Sequence, residues 1–109
     1  MTTFDDRERA FETKYAHDED LRFRVIARRN RLLGMWAARL MGLSDAEADA
    51  YAKDVIRADF EEAGDEDVVR KLLGDLTAAG VETDDAQIRE ALTHKEVEAR
   101  RQIIESTSF

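Results

Sequence analysis

The residues of this chain that could do acid–base, nucleophilic or metal chemistry are two histidines, a band of carboxylates and a few hydroxyls. His94 and Glu98 stand four apart, which sets them on one helical face and is compatible with a metal ion. That spacing is also common by chance on a charged helix, and the plainer reading is an exposed histidine. His17 has no companion at ligand spacing. Asp59, Glu61, Glu62, Asp65, Glu66 and Asp67 concentrate enough charge to interest calcium. Yet the run DFEEAGDED lacks the alternating acids, glycine and distant glutamate of a calcium loop. Residues 65–67 instead suit the positive end of a helix dipole. Ser44, Thr83 and Ser106 have no histidine placed to activate them. Trp36 sits in the middle of an apolar stripe and reads as core. No catalytic apparatus emerges, so the chain is expected not to be an enzyme and to require no cofactor or metal.

Composition narrows the remaining classes. The 109 residues, 39% of them charged and with a net charge of -8, fit one soluble domain with a modest core. An acidic chain repels phosphate, which argues against nucleic-acid and anionic-membrane partners. The absence of cysteine removes disulfides and thiolate metal sites. No apolar run approaches the roughly 20 residues of a membrane span. The start TTFDDRERAFE has neither the basic, apolar make-up of a secretory signal nor the character of a transit peptide. A cytoplasmic protein is expected.

The elements that must position any site are helices. There is no proline, and the glycines are few. Gly42, Gly64 and Gly80 each close a stretch of helical periodicity. Leu43 and Val81 supply the apolar residue expected after a glycine C-cap. Ser44 with Glu47 forms a capping box, and Asp65 and Thr83 are N-cap candidates for the third and fourth helices. Helices are predicted near 21–41, 45–63, 66–79 and 84–105. Their buried stripes are Val25, Ile26, Leu32, Leu33, Trp36 and Leu40; Tyr51, Ala52, Val55, Ile56 and Phe60; Val69, Leu72, Leu73 and Leu76; and Ile88, Leu92, Ala99 and Ile103. Short connections imply antiparallel neighbours. The fold class is therefore all-α: a small antiparallel four-helix bundle, residues 21–109, with a flexible or helical N-terminal arm, residues 1–20.

Two features are left without a partner. Residues 21–43 carry Arg22, Arg24, Arg28, Arg29, Arg31 and Arg39 and no acid, whereas 44–67 carry ten acids against Lys53 and Arg57. The simplest account sets these two helices side by side with opposite charges facing; the other lets the arginines dock an acidic partner or a phosphate. The arm presents Phe4, Phe11 and Tyr15 within about 20° of one helical line. So narrow a line cannot bury much by itself. It either packs on the bundle or folds on a partner groove, and periodicity leaves both open.

Three blocks of sequence resemble one family: FDDRERAFE at 4–12, ARRNRLLGMWAA at 27–38 and YAKDVIRADFEEAGDEDV at 51–68. Together they are similar to the zeta subunit of alphaproteobacterial F-type ATP synthases, a family formerly known only as a domain of unknown function. The resemblance runs over nearly the whole chain and weakens after about Gly80. It implies a four-helix bundle with a mobile inhibitory segment, which enters the catalytic sector between catalytic subunits beside the central stalk. There the segment folds as a helix and blocks rotation in the hydrolytic direction. By matching position the contact residues would be Phe4, Asp5, Arg7, Glu8, Phe11, Glu12 and Tyr15. The resemblance further implies a cytoplasmic protein, monomeric when free and held at the inner membrane only through the ATP synthase. It also carries an association with adenine-nucleotide binding to the bundle, for which no motif marks a site.

Overall fold

The computed structural model describes the backbone of residues 3–61 and 64–107 and the side chains of 18–59 and 64–106. Four helices follow one another: α1 (Thr3–Leu40), α2 (Asp45–Glu61), α3 (Asp65–Ala78) and α4 (Asp85–Thr107). The arm is helical and is the first part of α1, which runs unbroken through residue 20. At about 1.5 Å per residue, α1 is roughly 57 Å long against about 35 Å for α4. α1 is the hub: it packs on α2, α3 and α4, and the circuit closes through α2 on α3 and α3 on α4. Arg29 meets Glu96 while Arg28 meets Gln102, which sets α4 antiparallel to α1 along its C-terminal half.

The helix ends follow from local chemistry. Gly42 adopts φ 76° and Gly80 φ 82°, a region that a side chain would strain. Each closes a Schellman pair: Leu43 N–H bonds Ala38 C=O at 3.0 Å and Val81 N–H bonds Leu76 C=O at 2.9 Å, as the glycine–apolar pairs predict. The Ser44–Glu47 capping box forms in both directions, at 3.0 and 3.2 Å. Two predicted caps move by one residue. Gly64 is the N-cap of α3 and Asp65 its first helical residue. Asp84, not Thr83, caps α4 by accepting the Gln87 N–H at 2.8 Å, and Thr83 bonds the Gln87 side chain instead.

The core joins all four stripes. Leu33 and Ala37 of α1, Val55 of α2, Val68, Val69, Leu72 and Leu76 of α3, and Ile88 and Leu92 of α4 form one buried cluster. Trp36 lies partly buried against it. Leu40 is a correction: it is 47% exposed, because it is the last residue of α1, past the turns that the core covers. The side chain of Phe60 and the predicted end of helix two at Ala63 lie outside the described residues. Gly34 does more than spare a side chain. A Cβ at this position would lie 2.8 Å from the Ala52 Cα, so α1 and α2 cross at backbone contact here. Gly34→Ala should therefore push the helices apart at a cost of about 1–3 kcal/mol, the range for overpacking a tight core. A thermal melt of the two proteins checks this.

Candidate partner-binding surface

The bundle end from which the arm departs is built around a buried cation. Val25, Arg29 and Leu33 are spaced by fours, so Arg29 occupies the middle of the α1 stripe, and it is only 2% exposed. Burying a guanidinium demands partners for its N–H groups. Nε and one terminal nitrogen donate to Asn30 Oδ1 at 3.1 and 3.0 Å, and Asn30 is itself buried. The terminal nitrogens also reach Asp65 at 3.0 Å, at the start of α3, and Glu96 of α4 at 3.1 Å. Asp59 of α2 completes the ring. Burial pushes its carboxyl above its ordinary value, against the pull of Arg29 and a hydrogen bond from Asn30, while Asp65 and Asp67 add repulsion.

Above Arg29 lies an open groove between α1 and α4 of about 540 Å³. Leu21, Val25 and Ile104 give it an apolar lining, and Asp18, Arg22 and Arg100 stand among its charged residues. Neither Arg22 nor Arg100 makes an ion pair among the described residues. This groove begins where residues 3–17 of α1 end. The side chains of Phe4, Asp5, Arg7, Glu8, Phe11, Glu12 and Tyr15 lie outside the described residues, as do those of Thr3, Asp6 and His17. The backbone carries all seven predicted contact positions on the part of α1 that precedes the groove.

Other sequence candidates resolve into structural roles. His94 faces Glu90 at 3.9 Å with both side chains exposed, while Glu98 binds Lys95, so the suggested His94–Glu98 pair is not assembled. Of the acids considered for calcium, three are taken by arginines, Asp65 by Arg29, Glu66 by Arg89 at 2.7 Å and Asp67 by Arg70 at 3.0 Å, while the side chains of Glu61 and Glu62 lie outside the described residues. Among the described residues no cluster of three or more histidines or carboxylates could hold a metal. Between α1 and α2 the expected charge complementarity yields one ion pair among the described residues, Arg31–Asp49 at 3.0 Å, which with Lys53 holds the Asp49 carboxyl below its ordinary value. Tyr51 donates to Asp75 at 2.7 Å under the Lys71 ammonium; burial first, and then this carboxylate, push its hydroxyl pKa upward. This trio ties α2 to α3.

Sequence reasoning missed this buried pair: it counted Arg29 among the arginines set to face the acids of the second helix or an acidic partner, and gave Asn30 no role. The apolar neighbours at four-residue spacing were the available signal.

The family model described as ATPase inhibitor subunit zeta matches residues 1–102. The chain belongs to this family. Its match takes in the arm, the arginine-rich half of α1 and most of α4. A protein known from a solution NMR structure is 43% identical, with a TM-score of 0.70 over 79% of this chain and 98% of the other. A search of curated proteins finds no match. In this family member, as in any acidic bundle, no helix of the described residues is long and apolar enough to cross a membrane.

The raised Asp59 pKa has a definite sign. A folded-state pKa above the unfolded one means that the native state binds the proton more tightly, so the ionised group is a liability at neutral pH that fades on acidification. Asp59→Asn keeps an acceptor for Asn30 and removes the charge. It should raise the melting temperature at pH 7, and the gain should shrink as pH falls toward 4, as paired thermal melts would record.

Proposed function

We propose that this chain is an inhibitor of an F-type ATP synthase and acts through residues 1–20. The helical arm enters the catalytic sector between catalytic subunits and beside the central stalk. Seated there as a wedge, it stops the interface from closing and opening, and so blocks ATP hydrolysis and the rotation coupled to it. The observation that carries this reading is the family match, which spans residues 1–102 and includes the arm. Two structural facts support it. α1 is about 22 Å longer than α4, by the rise of a helix, and the excess lies at the end that carries the predicted contact positions. The described bundle also completes its core with residues 25–99.

Phe4, Phe11 and Tyr15 are the proposed apolar anchors, with Asp5, Arg7, Glu8 and Glu12 as the polar rim around them. The free protein is proposed to be a cytoplasmic monomer that reaches the inner membrane only by joining the ATP synthase. Deletion of residues 1–18 should abolish inhibition of hydrolysis by the purified synthase. Phe4→Ala and Phe11→Ala should each weaken it by about 2 kcal/mol, roughly thirtyfold in half-inhibitory concentration. A truncated protein that inhibits as well as the full chain would sink the proposal.

A second reading is an adenine nucleotide held in the α1–α4 groove, favoured by the guanidinium groups of Arg22 and Arg100 along its wall. It requires no catalysis. Titrating ATP while following amide resonances tests it: shifts concentrated at residues 22–31 are expected, and their absence at millimolar ATP would dismiss this reading.

A further inference from the structure

Residues 21–26 of α1 read Leu-Arg-Phe-Arg-Val-Ile, and this stretch carries apolar side chains beyond the stripe that the core covers. Val25 is buried and Leu21 and Ile26 are half-buried, while Phe23 is 53% exposed. Two grooves flank them. The α1–α4 groove takes Leu21 and Val25 with Ile104 of α4, which is 51% exposed. A second groove of about 350 Å³ takes Phe23 and Ile26 with Ile56 of α2. Apolar side chains thus form a collar around the end of the bundle from which the arm departs. Exposed apolar surface gathered in one place marks an interaction site. The collar is also cationic. Arg22, Arg24, Arg100 and Arg101 are exposed and make no ion pair among the described residues, in a chain whose net charge is -8. Asp65 and Glu96 in the α1–α4 groove are taken by Arg29, which leaves Asp18 there and Glu105 beside it against the four guanidinium groups. Glu19 and Asp20 precede the collar as part of the arm.

We propose that the collar is a second docking surface for the ATP synthase, seated on an apolar patch that bears carboxylates at the mouth where the arm enters. This rests on the inhibitory reading above and adds to it a contact made by the body of the protein. Position commits the occupant. A chain advances at most about 3.6 Å per residue, so whatever holds residue 20 lies within about 22 Å of residue 26, in any conformation of the arm. Charge sets the chemistry, since exposed guanidinium groups beside an aromatic ring suit carboxylates on an apolar surface. Because arm and collar belong to one chain, the second contact forms at high effective concentration and slows release.

Exchange to glutamine removes charge or apolar surface and keeps a good helix former. Three full-length double variants are compared with the parent. Phe23→Gln with Arg24→Gln alters the collar on α1, and Arg101→Gln with Ile104→Gln alters it on α4. Arg39→Gln with Leu40→Gln changes an exposed pair of the same make-up at the C-terminal end of α1. Each is titrated into purified ATP synthase while ATP hydrolysis is followed at low and high salt, and a thermal melt confirms an intact bundle.

The two collar variants should each need at least about tenfold more protein for half-inhibition. The Arg39–Leu40 variant should inhibit like the parent. The gap should narrow at high salt, where the ion pairs of the parent are screened. The α4 pair decides most, because it is remote from the arm in sequence. Parental inhibition by the α4 variant, or an equal loss in the Arg39–Leu40 variant, overturns the collar; a gap that salt leaves unchanged overturns its carboxylate partners. If the collar variants inhibit like the parent while deletion of residues 1–18 abolishes inhibition, the arm stands and the collar falls. A harmless deletion removes the inhibitory arm and the collar's place beside it together.

Discussion

One guanidinium organises this molecule. Arg29 is buried in the stripe of α1 where an aliphatic residue would ordinarily go, and its hydrogen bonds reach a neighbouring amide and carboxylates on two other helices. Burying such a charge costs free energy unless every donor is matched, so the match is an all-or-none constraint on how the helices meet. α3 must begin at Asp65 beside Arg29, and α4 must pass with Glu96 in reach. A purely apolar residue would let α3 and α4 slide along α1. Arginine gives the end of the bundle a defined register, and that is the end from which the arm departs.

A second constraint works at the opposite side of α1. Gly34 lets α2 approach to backbone contact at Ala52, with Val55 beside it. Close approach on one side and a buried ion on the other hold α1 against translation and rotation together. The result is an asymmetric molecule, about 65 Å long and 29 by 22 Å across, in which one helix outruns the rest. The asymmetry sets a compact four-helix body at one end and a length of helix that runs beyond it at the other.

Most of the architecture could be read from local signals. The glycine–apolar pairs at 42–43 and 80–81 stop their helices through local backbone hydrogen bonds, and the serine–glutamate box starts α2 in the same local way. The stripes of three- and four-residue spacing named most of the core but passed over Ala37, Ala38, Ala48 and Val68. Leu40 was misjudged because periodicity carries no information on where a neighbouring helix ends. The burial of Arg29 and Asn30 was missed because composition counts charge and not partners, and their partners are Asp59, Asp65 and Glu96, some 30 to 67 positions away. The contact positions proposed for the arm came from resemblance to a family, since three aromatics on a helical line are equally good at packing and at binding.

The sequence by itself determined that this protein is helical, acidic and four-membered, because capping, helical period and net charge are properties of neighbours along the chain. It also determined the family, whose blocks extend from the first residues to 102. Only the tertiary structure decided which arginine is buried, which glycine is a contact and which side of α1 faces the groove. Those outcomes depend on where the other helices lie, and a polar group changes from liability to anchor only when a distant partner arrives within hydrogen-bonding distance.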